Sequence, residues 1–156
     1  MVVKEWKIEN FDRVLVVEGH DDRIFYAELL EAVGKHGQVF IHVLGGNKNL
    51  KQEAEVLITP TLLERKVAIA FVLDAYETPA ETKESLQNLL SNLTHQEVID
   101  GKWTGGSPKI GLMIIPGGNA KGEIETLVWK SWSSNQANAA QKQCVEDYVN
   151  CMRASN

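Results

Sequence analysis

Short, largely apolar runs that stop at polar loops are the feature of this chain that most limits its fold. Residues 14–17 and 67–73 form two such runs, and carboxylates follow each of them at once. Residues 39–44 and 110–115 form two more, and both end in glycine-rich turns. Runs of this length suit parallel strands that are covered on both faces. The sequence therefore predicts four buried strands.

Helical periodicity fills the intervals between these runs. After the first run, Phe25, Tyr26, Leu29 and Val33 recur at helical spacing, and Thr78-Pro79 opens another helix before Leu86. Residues 48–58 and 60–65 predict helix on either side of Thr59, and two more helices follow the fourth run. Strands joined by helices imply right-handed crossovers. We expect an α/β fold with a mainly parallel four-stranded sheet and helices on both faces.

The length of 156 residues fits one domain, which can bury an ordinary core without disulfides. Residues 1–132 are expected to form the α/β domain, and residues 133–156 a C-terminal helical extension packed on it. Cys144 and Cys151 form no CxxC pair. We expect both to be small buried hydrophobic residues.

The charge distribution argues against a strongly basic nucleic-acid-binding surface. The net charge is −5, with 10 basic and 17 acidic residues over positions 1–100, against 6 and 4 over positions 101–156. No apolar run approaches the roughly 20 residues needed to cross a bilayer, so no membrane association is expected. The first residues lack the apolar stretch of a signal peptide, and a cytoplasmic location is expected.

Two common α/β sites lack their sequence signatures here. No strand is followed by a P-loop or by the dinucleotide fingerprint, and residues 45–48 are better interpreted as a tight turn that starts a helix. A phosphoacceptor receiver domain also has acids after its first and third strands. It would require a hydroxyl and a lysine after later strands, whereas Ile115 leads into Pro116-Gly117.

Carboxylates follow the first and third predicted strands. Parallel strands end at one edge of their sheet, where open α/β sheets bind ligands, so Glu18, Asp22, Asp74 and Glu77 should gather there. Several carboxylates in a small volume repel one another unless a cation or a proton compensates them. Oxygen ligands alone favour Mg²⁺ or Mn²⁺.

Three segments together resemble a Toprim domain, the α/β module of topoisomerases, bacterial primases and OLD-type nucleases. They are Val-Glu-Gly-His-Asp-Asp at 17–22, Leu-Asp-Ala-Tyr-Glu at 73–77 and Gly-Glu-Ile-Glu at 122–125. The likeness is greatest to small stand-alone Toprim proteins and OLD-type nucleases, and it covers roughly residues 13–130. It implies a Toprim-like fold and nuclease-like, Mg²⁺- or Mn²⁺-dependent phosphodiester chemistry on DNA or RNA.

The resemblance also implies roles for individual residues. Glu18 and Asp74 would be catalytic, and the metal would be held by a set of five carboxylates: Glu18, Asp22, Asp74, Glu77 and Glu125. Each assignment has a structural alternative, because Asp22 can cap a helix and Glu77 can favour the start of the next one. His20, Lys48 and Lys121 are candidates for contacting phosphate, although lone lysines commonly face solvent.

One position departs from the family pattern. Tyr76 stands where Toprim domains normally have the second carboxylate of an Asp-X-Asp pair, and a phenol does not ligate a hard cation as a carboxylate does. The alternative interpretation is a catalytically inactive Toprim-like domain that binds a protein or nucleic acid. Since the chain lacks the extra domains that hold substrate in larger Toprim enzymes, a partner protein or a homodimer is plausible.

Overall fold

The computed structural model describes residues 7–46 and 50–154. One sheet is formed by four strands: β1 (Arg13–Val17), β2 (Phe40–Val43), β3 (Ala68–Asp74) and β4 (Lys109–Ile115). The strand order is β2-β1-β3-β4, and every neighbouring pair is parallel. The predicted α/β class and four-stranded parallel sheet are therefore confirmed.

Helices connect the strands and complete the chain. They are α1 (His20–Ala32), α2 (Leu50–Leu57), α3 (Pro60–Arg65), α4 (Pro79–Thr94), α5 (Ile124–Ser133) and α6 (Ala139–Ala154), with short 3-10 helices at Ile8–Asn10 and Gln136–Asn138. In the order β2-β1-β3-β4, the connection from β1 leads outward to the β2 edge of the sheet. The connections from β2 to β3 and from β3 to β4 both lead towards the β4 edge. Right-handed crossovers therefore place α1 on one face and α2, α3 and α4 on the opposite face.

The main core lies between the sheet and the helices α2 and α4, which cover one of its faces. On the central strand β3, Ile69, Phe71 and Leu73 alternate with less buried residues and are almost inaccessible to solvent. They belong to the same buried cluster as Leu86 and Leu90 of α4. Leu86 and Leu90 are four residues apart, so they lie on the same side of that helix and both pack into the core.

Two helix starts show how local sequence sets the boundaries. The hydroxyl of Thr59 accepts a hydrogen bond from the Leu62 amide at 3.2 Å and Pro60 is the first helical residue, as the predicted interruption requires. At α1 the N-cap is Gly19, so the alternative in which Asp22 occupies the cap is wrong. Asp22 instead reaches back from the first turn and accepts the Gly19 amide at 2.7 Å.

The outer edge of β4 is partly covered by the connection from α4. Gly101 donates its amide to Leu112 at 2.8 Å, and the Asp100 carboxylate accepts the amide of Ile114 at 2.9 Å. The indole of Trp103 lies against Gly111, where a Cβ atom would be 3.0 Å from the ring. Residues 100–104 thus occupy backbone groups that an edge strand would otherwise expose.

The C-terminal helices bury little of their surface. Ile124 is the one buried residue among residues 124–154, and α6 contributes no buried side chain. Cys144 and Cys151 are exposed, so the prediction that they are buried is wrong. Within the part of the chain that the structure describes, no helix combines the length and the apolar character needed to cross a membrane.

The burial of β3 predicts where the fold is most sensitive to truncation. Phe71→Ala should lower the free energy of unfolding by about 3–5 kcal/mol, because it removes a ring from the centre of the core and leaves a cavity. Val67→Ala, at a half-exposed position just before the same strand, is the matched control and should cost less than about 1 kcal/mol. Urea unfolding followed by circular dichroism would measure both, and equal losses would contradict the assigned core.

Candidate acidic site at the carboxyl edge of the sheet

Glu18 and Asp74 meet because their strands are neighbours in the sheet. Val17 lies opposite Val72 in the parallel register, so Glu18 leaves β1 beside the last residues of β3. The side chain of Glu18 is buried, and its carboxylate accepts a hydrogen bond from the backbone of Asp74. The two predicted catalytic acids are therefore brought together at one edge of the sheet.

Tyr76 also belongs to this group. Its phenol donates a hydrogen bond to Oε1 of Glu18. Its backbone has a positive φ of 50° and forms two 3.0 Å hydrogen bonds with Gly122, one in each direction. A Cβ atom at Gly122 would lie 2.4 Å from the hydroxyl oxygen of Thr126, so the bridge to Tyr76 requires glycine at that position.

The carboxyl group of Asp74 is partly buried and surrounded by negative charge. Burial and the negative charges around it raise the pKa of its carboxyl group from 3.8 to about 7. The charges, in decreasing order of effect, belong to Asp22, Glu18, Glu123 and Glu125. Desolvation and like charges both disfavour the ionised carboxylate, so Asp74 holds its proton to near neutral pH.

Burial and the nearby carboxylates also shift the pKa values of Glu18, Tyr26 and Tyr76. Burial raises the pKa of Glu18, the hydrogen bond from Tyr76 lowers it in part, and the charge of Asp22 raises it again. Burial and then the charges of Asp22 and Asp74 raise the pKa of Tyr26 to about 12. Burial and the bond to Glu18 likewise raise the pKa of Tyr76 above its ordinary range. Both phenols therefore remain hydrogen-bond donors at physiological pH.

Of the other predicted site residues, two lie within electrostatic range of Asp74. Asp22 and Glu125 both act electrostatically on Asp74. The Glu77 side chain is 88% exposed and forms a salt bridge with Nζ of Lys121 at 3.1 Å. His20 is an exposed first residue of α1. Lys48 lies outside the described residues.

Three members of the site were not assigned from the sequence. Glu123 reaches the group because its neighbour Gly122 is bonded to Tyr76, a pairing between distant segments that no local pattern reveals. Tyr76 itself contributes as a donor rather than as a ligand. Tyr26 lies one helical turn after Asp22, and that spacing was the available signal that it faces the same side of α1.

A small cavity opens on the side of the site that faces α4. Its volume is about 260 Å³. The polar residues around it are Glu18, Asp74, Tyr76, Thr78, Glu81, Thr82 and Ser85. This arrangement can exchange protons and accept hydrogen bonds from a small polar group. Among the described residues, no three histidine, cysteine, aspartate or glutamate side chains are grouped closely enough to hold a metal ion as they stand.

The raised pKa of Asp74 predicts a defined dependence of stability on pH. Well below the ordinary pKa of 3.8, the carboxyl group is protonated in the folded and unfolded states, and its stabilising contribution is fully present. As the pH rises towards 7, the unfolded chain loses this proton first, so the contribution is lost. Asp74→Asn should thus be more stable than the wild type by about 1–2 kcal/mol above pH 7, allowing for solvent screening.

Chemical denaturation between pH 4 and pH 8.5, with a chelator present, would measure this difference. Asp21→Asn, an exposed change on the same edge of the protein, is the matched control and should show no trend across the range. A difference between Asp74→Asn and the wild type that stays constant with pH would contradict the electrostatic account of the site.

Comparison with known proteins gives a family for the chain. Residues 12–155 match the family described as "Protein of unknown function (DUF3226)". Neither the curated proteins nor the solved structures yielded a match. Because the matched region includes the whole sheet, the acidic edge and all of α6, the chain belongs to the DUF3226 family.

Proposed function

We propose that this protein carries out Mg²⁺- or Mn²⁺-dependent phosphodiester chemistry on nucleic acid, in a nuclease-like reaction at a Toprim-like site. The observation that carries the proposal is the crowding of four carboxylates around Asp74, whose pKa is raised to about 7 by burial and then by these charges. A divalent cation would relieve this repulsion. Asp22, Asp74, Glu123 and Glu125 supply oxygen donors only, which suits Mg²⁺ and Mn²⁺.

The proposed metal site depends on the chemistry of these donors. Asp22 is held at the start of α1 by the Gly19 amide, and Asp74 ends a central strand, so both come from regular elements. Glu125 lies in the first turn of α5, from which its exposed side chain can adjust. Bound divalent cations would stabilise the attacking and leaving oxygens of a phosphodiester during displacement.

Glu18 is proposed as the residue that moves a proton. Burial raises the pKa of its carboxyl group, which brings the group nearer to the pH at which it can both take up and release a proton. Tyr76 acts as a positioning residue because its hydroxyl fixes one oxygen of Glu18, which leaves the other oxygen for the reacting group. His20, Lys48 and Lys121 remain predicted phosphate contacts.

Metal binding and cleavage test this proposal. In a calorimetric titration the wild type should bind Mn²⁺ at millimolar concentration or below, and Asp74→Asn should bind it at least about tenfold more weakly because a ligand is lost. With Mn²⁺ and mixed DNA and RNA substrates, Glu18→Gln should slow cleavage by about 100-fold or more. Asp21→Asn, which changes a neighbouring exposed acid, should leave both measurements unchanged.

The outcome that excludes the proposal is the absence of Mn²⁺ binding by the folded wild type at millimolar metal. Equal cleavage by the wild type and Glu18→Gln would assign the activity to a contaminating nuclease. Comparison of DNA and RNA in the same assay would identify the nucleic acid.

A second candidate function is supported by the bond between Tyr76 and Glu18. A phenol replaces a carboxylate of the Toprim pattern, and it occupies an oxygen of the main acid. In this interpretation the site is catalytically inactive, and the domain binds a protein or nucleic-acid partner. The lack of a ready three-ligand group among the described residues favours the same interpretation.

Tyr76→Asp separates the two candidate functions. Tyr76 has left-handed backbone geometry, which aspartate adopts more readily than tyrosine, so the backbone should tolerate the change. If the wild type is inactive because it lacks this carboxylate, only Tyr76→Asp should bind Mn²⁺ in the titration. Tyr76→Phe is the control, since it removes the hydroxyl without adding a ligand. Binding of Mn²⁺ by the wild type would contradict the inactive interpretation.

A further inference from the structure

The α5–α6 hairpin, defined as residues 124–154, exposes a large share of the apolar surface of this protein. Seven large hydrophobic side chains of the hairpin are between 37% and 66% exposed: Leu127, Val128, Trp129, Val145, Tyr148, Val149 and Met152. They make up half of the fourteen exposed large hydrophobic residues in the described chain. Concentration of this kind marks an interaction surface rather than scattered surface apolar residues.

On α6 the exposed residues form one continuous stripe. Val145, Tyr148, Val149 and Met152 follow the spacing i, i+3, i+4 and i+7, which places them on the same side of the helix. The helix has 16 residues and none of them is buried. A helix of this length is marginal in water without tertiary packing, so the stripe needs a covering surface.

Trp129 connects this stripe to the exposed side of α5. It lines an open cleft of about 460 Å³ together with Val145 and Val149 of α6. It also lines a groove of about 540 Å³ between α1 and α5 with Phe25, Val128 and Trp132. The rings of Trp129 and Trp132 are 5.4 Å apart. The apolar surface therefore runs from α1 across α5 to α6.

We propose that a second copy of this chain covers the α5–α6 hairpin, with the two hairpins packed antiparallel around a two-fold axis as a four-helix bundle. A two-fold interface uses the same patch on both partners, and each copy carries both an α6 stripe and an α5 surface. At these exposures the seven side chains leave on the order of 500 Å² of apolar area in water on each copy. With the groove residues and the polar rim, this approaches the roughly 800 Å² per partner of a stable interface.

Charge placement supports a second copy in an antiparallel orientation. Glu146 and Arg153 lie along the flank of the α6 stripe that borders the cleft with Trp129, and Glu146 also pairs with Lys142 of the same helix at 3.8 Å. When two such helices run antiparallel about a centre near Val149, Glu146 of each copy comes level with Arg153 of the other. The flanks then pair opposite charges in two equivalent places.

The mass of the full chain in solution tests this proposal. Sedimentation equilibrium between about 1 and 100 μM should give twice the chain mass of 17.4 kDa, since interfaces of this size commonly bind at or below micromolar concentration. Tyr148→Glu should weaken the dimer by about 100-fold or more, because it places a charge at the centre of the apolar interface. Ala140→Glu adds the same charge on the opposite side of α6 and should leave the dimer intact.

Two results would overturn the proposal. A monomeric wild type at 100 μM would mean that α6 closes on its own α5 or binds a different partner. A dimer of unchanged strength in both Tyr148→Glu and Val149→Glu would place the interface elsewhere. Circular dichroism would check that each variant is folded. Because α6 contributes no residue to the buried core, both variants should retain the wild-type sheet signal.

Discussion

The side-by-side parallel pairing of β1 and β3 is the constraint on which the rest of the structure depends. It buries the centre of the sheet and, by the same register, delivers Glu18 and Asp74 to a common edge. Hydrophobic burial along the strands offsets the repulsion that this convergence creates. The fold tolerates the acids because Glu18 accepts a backbone hydrogen bond and a phenolic one, while Asp74 keeps its proton to near neutral pH.

The backbone bridge between Tyr76 and Gly122 extends this constraint to the C-terminal part of the chain. It attaches the segment after β4 to the end of β3, and α5 begins two residues later. Glu123 and Glu125 are thereby held within electrostatic range of Asp74. The acid cluster is therefore assembled from three separate stretches of sequence, of which only the first two follow directly from strand ends.

Much of the fold was predictable because apolar runs and helical spacing are local signals. The four strands, the break at Thr59 and the burial of Leu86 and Leu90 all follow from such patterns. The membership of Glu123 was not predictable, because it depends on a contact between residues far apart in sequence. The helical periodicity of α6 identifies an apolar side of the helix, but it does not reveal whether another part of the protein covers that side. For this reason the prediction that Cys144 and Cys151 are buried was wrong.

The covering of β4 by residues 100–104 has a consequence for how this sheet meets other chains. Asp100 and Gly101 form hydrogen bonds with backbone groups of β4, and the indole of Trp103 lies against Gly111. A strand of another chain could not pair with β4 on that side, because residues 100–104 already occupy backbone groups of β4. Growth of the sheet into a larger intermolecular sheet is therefore blocked there. On the opposite margin β2 spans four residues, too short a template for extended fibril-like addition.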